Sequence, residues 1–174
     1  VKQLLLLLFL FGTFVNAQEL ELHSEEKSWL KEHRNIRVSH ETNWAPIDFI
    51  YQGKPAGISV DMMNLVAEKL GIEIEYVNGY TWNELLEMSR QKEIDVLTSV
   101  VETESRHDFL EFTKGYIVNP IALYTHKNTV GIRTLDDMKG KTMVVIRGFY
   151  HEEILKKHYP EIKIYLVDSL LDGL

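Results

Sequence analysis

Cysteine is absent from the 174 residues, which removes disulfides, thiolate metal sites and cysteine nucleophiles and says nothing of compartment. A clustered basic surface is missing as well. Lys and Arg total 19 against 26 Asp and Glu, a formal net charge of −7, whereas the phosphates of nucleic acid demand a concentrated Lys/Arg face. Nucleic acid is therefore excluded as a partner. Gly140-Lys141-Thr142 ends like a phosphate-binding loop, but Leu135 stands where such a loop requires glycine. His151-Glu152-Glu153-Ile154-Leu155 lacks the second histidine of a helical zinc motif, and the seven histidines show no metal-ligand spacing. Gly-x-Ser-x-Gly does not occur. The paired carboxylates Glu25-Glu26, Asp136-Asp137 and Glu152-Glu153 fall on polar helix faces. No catalytic set emerges, and neither a cofactor nor a metal is expected.

What is present is the make-up of a globular chain, 45% hydrophobic and 26% charged, with enough length for one ordinary domain or two small lobes. Residues 1–17 begin with Lys2, continue in an apolar run from Leu4 through Phe14 and end at Val15-Asn16-Ala17. That is the pattern of a secretory signal peptide, with an apolar core too short for a comfortable membrane span. An uncleaved anchor is the alternative. After it, no second apolar segment reaches membrane length.

Residues 18–34 form a charged, amphipathic leader in which Ser24 is the expected helix cap. Alternation predicts strands at Ile36–Ser39, through Ile50 after Trp44 and Pro46, and at Ile72–Val77. Helical spacing predicts a helix over Val60–Leu70, stopped by Gly71. Thr81-Trp82-Asn83-Glu84 carries a capping box for a helix to about Lys92. Ile94–Val101 reads as a buried strand, Thr103–Leu110 as a short helix and Tyr116–His126 as a β-rich crossing. A short helix starts at Thr134; then come a strand at Thr142–Ile146, a helix at His151–His158 and a strand at Ile162–Val167. This βαβαβ order, repeated after Tyr116, indicates an α/β protein of mainly parallel sheets in two lobes. Asp168–Leu174 looks like the opening of another helix, so the sequence is expected to be a fragment of a longer chain, C-terminally incomplete.

Four stretches carry a resemblance. They are Trp44-Ala45-Pro46-Ile47-Asp48-Phe49; Gly57-Ile58-Ser59-Val60-Asp61; Ile94-Asp95-Val96-Leu97-Thr98-Ser99 through Arg106 to Phe112-Thr113-Lys114-Gly115-Tyr116; and Leu135–Lys141 followed by Val144-Val145-Ile146-Arg147-Gly148. Together they resemble the family 3 extracellular solute-binding proteins over about residues 35–174. The resemblance implies the two-lobed periplasmic-binding-protein fold of type II, with lobe one at residues 35–119 and the crossover and part of lobe two at 120–174. Ser24–His33 resembles the leader before such domains in membrane-bound sensor kinases. The expected function is therefore a periplasmic sensor domain that closes on a small polar ligand, an amino acid or other small carboxylate. It would sit at the outer face of the bacterial inner membrane and act as the input region of a hybrid histidine kinase or diguanylate cyclase. The substrate-binding component of an amino-acid ABC importer and the N-terminal domain of a lytic transglycosylase stay open as alternatives. The implied partners are the small molecule, the membrane through a downstream segment or an ABC permease, and a second copy in a receptor dimer.

The resemblance also names a site. A guanidinium grips a carboxylate with two parallel hydrogen bonds, and Arg106 matches the family's arginine for that task; a surface ion pair with Glu102 or Glu104 is the alternative. Trp44 and Trp82 match aromatic walls, core packing being the other account. Thr98 and Ser99 match carboxylate donors, and Glu41 matches an acid or polar contact. Val101 departs from the hydroxyl residue that amino-acid binders often have. Phe149 and Tyr150 follow Gly148 where small hydroxyl residues are usual at a helix N-terminus that attracts anions. Gly115 replaces a common proline, and the family's lobe-two acid would fall beyond Leu174.

Overall fold

The computed structural model describes residues 20–173; the expected signal peptide at residues 1–17 lies outside them. The described chain falls into two compact units that divide between His33 and Arg34. Among the described residues, the first contains the helix α1 (Ser24–Glu32), capped by His23. The cap falls one residue before the expected Ser24 because Glu26, three positions after His23, accepts the His23 N–H at 2.7 Å. Three positions after Ser24 stands Lys27, which has no acceptor to offer. The helix ends where the His33 N–H reaches Trp29 O at 2.9 Å and the two rings stack.

The second unit is built from two parallel βαβ arrangements. In the first, β1 (Asn35–Ser39) pairs in parallel with β5 (Glu73–Val77), in register from Asn35↔Glu73 to Ser39↔Val77. Between them run a small antiparallel sheet of β2 (Asn43–Trp44), β3 (Asp48–Tyr51) and β4 (Lys54–Ala56), and then α2 (Ile58–Leu70). Gly57 makes the corner before α2. Its φ of 122° suits glycine, and any Cβ would run into the Ile47 carbonyl. At the far end Gly71 takes the left-handed conformation and stops the helix, as the sequence implied.

The other edge of β1 is occupied by the segment expected as a strand at Ile94–Val101. It contributes one parallel bridge, Val38↔Val96, with Ser39 N–H to Val96 O at 2.9 Å and Val96 N–H to Arg37 O at 3.1 Å. It does not run on as a strand, because Ser99 turns it with φ 53°. α3 (Trp82–Arg90) opens with the capping box read from the sequence: Thr81 N–H donates to Glu84 Oε2 at 2.7 Å. Trp82, Leu85 and Ile94 form the core beneath it, flanked by Val77, Leu86, Leu97 and Phe149.

The second arrangement pairs β6 (Thr142–Ile146) in parallel with β7 (Lys163–Val167) and joins them through α4 (Tyr150–His158). Met138, Val145, Leu155 and Ile162 are its core. Three expectations change in form. The helices expected at Thr103–Leu110 and from Thr134 are single 3₁₀ turns, Glu104–Arg106 and Asp136–Met138. The second is tied by Asp137, whose carboxylate accepts the Arg133 and Thr134 N–H groups at 2.9 Å each. The helix expected to open at Asp168 is likewise a 3₁₀ turn, Leu171–Gly173. The Tyr116–His126 crossing, expected to be β-rich, carries no strand, and Val118 is 96% exposed. β-propensity describes side chains that fit a pleated surface, and a strand still needs a neighbour with which to exchange hydrogen bonds.

Candidate functional site

The first group of polar side chains gathers where β1 ends. Alternation along β1 buries Ile36 and Val38, and the strand runs on into Ser39 and His40, both also buried. His40 N–H continues the ladder to Val77 O at 3.0 Å. The His40 ring places Nε2 at 3.1 Å from both Phe49 O and Asp48 Oδ1. Asp48 enters from β3, and its Oδ2 accepts the Thr98 hydroxyl at 2.9 Å. The Thr98 N–H donates to Ser39 Oγ at 3.1 Å. His40 is fully buried and Asp48 only 1% exposed, and among the described residues His40 Nδ1 and Asp48 Oδ1 find no hydrogen-bond partner. Oδ1 lies near the ring without the alignment a hydrogen bond needs. Burial pushes the Asp48 carboxyl upward, opposed by the neighbouring imidazole and by Thr98. Glu41, half-buried beside it, is pushed up to about 7 by burial and then by the Asp48 charge. Trp44 lies half-buried on β2 in the same hairpin.

A second group is made of hydroxyls. The left-handed turn at Ser99 carries its Oγ against Ser59 Oγ at the buried start of α2, and Tyr116 OH lies 3.1 Å from Ser99 Oγ and 3.3 Å from Ser59 Oγ.

The third group joins the two βαβ arrangements. Arg106 ends its 3₁₀ turn with only 5% of its surface exposed. Nη1 donates to Val101 O, and Nη2 donates to Gly148 O at 2.9 Å. The same Gly148 oxygen accepts Trp82 Nε1–H at 3.0 Å, and the Arg106 guanidinium lies 5.6 Å from the centre of the Trp82 ring. Phe149 meets Trp82 edge to face, and Tyr150 lies half-buried beside the His151 ring. Burial lowers the Arg106 pKa while Glu153 pulls it back, and a guanidinium so far from neutrality stays charged.

The expected residues thus fall into distinct settings. Arg106 and Trp82 converge on Gly148, with Phe149 packed on the Trp82 ring, Val101 joined to Arg106 through its carbonyl, and Tyr150 following at the start of α4. Thr98 spends its hydroxyl on Asp48, and Ser99 spends its own on Ser59 and Tyr116. The surface ion pairs weighed for Arg106 belong to others: Glu102 contacts His107 at 2.9 Å, and Glu104 contacts Lys157 at 3.2 Å. Reasoning from sequence did not single out His40, Asp48, Ser59 or Tyr116. Alternation gave no signal for Asp48, because between Ile47 and Phe49 it reads as the water-facing side of a strand.

The family model of the bacterial extracellular solute-binding proteins, family 3, matches residues 36–171. The virulence sensor protein BvgS of Bordetella pertussis is 23% identical over 147 residues, covering 84% of this chain and 12% of BvgS. The L-cystine-binding protein TcyJ of Escherichia coli is 28% identical over 143 residues, covering 80% of this chain and 53% of TcyJ. Among solved structures, the BvgS periplasmic VFT2 domain of Bordetella pertussis superposes with a TM-score of 0.74 at 22% identity, over 88% of this chain and 66% of that one. The chain therefore spans about half of one relative and a small part of the other. The likeness shows the two-lobed fold, of which residues 20–173 are a part, and by the extent of the family match this chain belongs to the bacterial extracellular solute-binding proteins, family 3.

Proposed function

We propose that this chain is the ligand-binding part of a periplasmic sensor, closing on a small polar molecule, an amino acid or other small carboxylate, as the input of a signalling receptor. The observation that carries the reading is Arg106. It is a buried cation between the two βαβ arrangements whose hydrogen bonds among the described residues go to backbone carbonyls. A buried charge with neutral partners favours an anion that offers two oxygens. In this reading Trp82, Val101, Phe149 and Tyr150 stand about Arg106, while Trp44, Glu41, Thr98 and Ser99 belong to the first arrangement, the Thr98 hydroxyl being engaged by Asp48 and that of Ser99 by Ser59 and Tyr116. Ligand binding shifts the population of open and closed forms, and a following membrane segment reads the shift.

The relatives support both a sensor and a transport use: BvgS is named a sensor and TcyJ a binding protein. The sensor reading gains weight from the leader helix α1 ahead of the domain. Export by the apolar N-terminal segment belongs to the same proposal.

The test is a thermal-shift screen of amino acids and small carboxylates against the complete domain. A ligand at a hundred times its dissociation constant stabilises by about 2.7 kcal/mol. The expected result is a rise in Tm with at least one carboxylate that disappears in Arg106→Met. Binding undiminished in that variant, or no shift with any carboxylate, removes the reading.

A further inference from the structure

Two donors from the first βαβ arrangement meet one acceptor from the second. Trp82 Nε1 and Arg106 Nη2 share the Gly148 carbonyl at 3.0 and 2.9 Å. The sequence prepares that oxygen. Gly148 sits at φ 75°, and a Cβ there would come within 3.2 Å of Asn83 Oδ1, so the close approach of the backbone to α3 relies on glycine. Its N–H is held in turn by Glu152 Oε2 at 2.9 Å, and Lys156 holds the other Glu152 oxygen at 2.6 Å. The carbonyl is thus fixed at the start of α4, and Phe149 beside it packs its ring against Trp82.

Two further bonds cross outside this point, Ser105 Oγ to Glu153 Oε2 at 2.9 Å and Lys157 Nζ to Glu104 Oε2 at 3.2 Å. Lys157 and Glu104 are solvent-exposed, and such pairs contribute little. The inner contact is of another kind, because Trp82 and Arg106 are 7% and 5% exposed. Pulling the carbonyl away exchanges both bonds for water, so each counts at the net value of a protein hydrogen bond, the charged one at more.

We infer that the Gly148 carbonyl is a latch: shared by Trp82 and Arg106, it holds the two βαβ arrangements together through the chain's own groups, so that the domain rests closed. The latch engages the guanidinium that the proposed function gives to a ligand. Only that consequence rests on the proposed function; the latch stands on the contacts themselves.

The test measures closure with no ligand added. The 174 residues contain no cysteine, so Glu68→Cys on exposed α2 and Lys163→Cys on exposed β7 carry a pair of spin labels in the complete chain, any cysteine elsewhere being replaced by serine. The protein is refolded from urea to strip co-purified small molecules, and interspin distances are read by double electron–electron resonance. The expected result is one short distance in the parent and a longer-distance population in Trp82→Phe, which keeps a ring and removes the donor. Loss of one such bond raises the open-to-closed ratio about fivefold. Gly148→Ala, which strains the positive-φ turn that presents the carbonyl and crowds Asn83, should give the same longer population and decides the matter if Trp82→Phe fails to fold by circular dichroism. A broad or long distribution in the parent, or folded variants whose distributions superimpose on it, overturns the latch.

Discussion

Glu41 shows how one side chain's surroundings set a measurable property of the whole. Its carboxyl is held at about 7 against an ordinary 4.5, by burial first and by the Asp48 charge second. The folded chain therefore keeps a proton that the unfolded chain releases between those two values. Stability due to this group is highest below about pH 4.5 and falls as the pH climbs to about 7. Glu41→Gln should remove that slope, leaving stability unchanged at low pH and raising it above neutrality by on the order of 1 kcal/mol, since partial exposure screens the full effect. Urea unfolding of the complete domain across pH 4 to 8 would show it, and an unchanged slope would mean that the carboxyl is solvated. His40 and Asp48 work at the same scale. They were missed in the sequence because a histidine or an aspartate in a strand looks like a surface residue until the Thr98 hydroxyl and the Phe49 carbonyl are brought to it.

At the scale of elements, stability rests on ends as much as on faces. Thr81 and Glu84 close the first turn of α3 on each other. Thr81→Ala should therefore cost about 1 kcal/mol of unfolding free energy, seen as a lowered denaturant midpoint with an unchanged m-value. Gly57 answers to a harder constraint. Its φ is positive and the Ile47 carbonyl occupies the space of a side chain, so Gly57→Ala should cost more than the loss of a cap, about 2 kcal/mol or above. A Gly57→Ala midpoint equal to that of Thr81→Ala would show that the corner can relax. The elements legible from sequence were those with both a period and a punctuating residue, such as α2 with Gly71 and α3 with Thr81. The Tyr116–His126 crossing had the period-friendly residues but pairs with no strand among the described residues.

For the molecule as a whole, the contacts between the two βαβ arrangements differ in kind. Bonds at the rim face water, and the Gly148 point is enclosed. Lys157→Ala should change the stability of the complete domain by less than about 0.5 kcal/mol, with any effect fading as salt is raised. A larger, salt-insensitive loss would move the principal contact from the enclosed point to the rim.

The sequence by itself determined what depends on neighbours along the chain. It was sufficient for the parallel α/β arrangement, the capped and glycine-stopped helices, the absence of thiol chemistry, and the family to which residues 36–171 belong. Only the tertiary structure decided what depends on neighbours across it. Trp82 and Arg106 lie 66 and 42 positions from Gly148, and no local pattern records that one backbone carbonyl will serve both. Thr98, read as a ligand donor, lies 50 positions from the Asp48 carboxylate that its hydroxyl meets. Hydrogen-bonding capacity is written in a residue's type, but its partner is chosen by which surfaces the packed core brings together, and that choice removes water from some donors and leaves others free to bind.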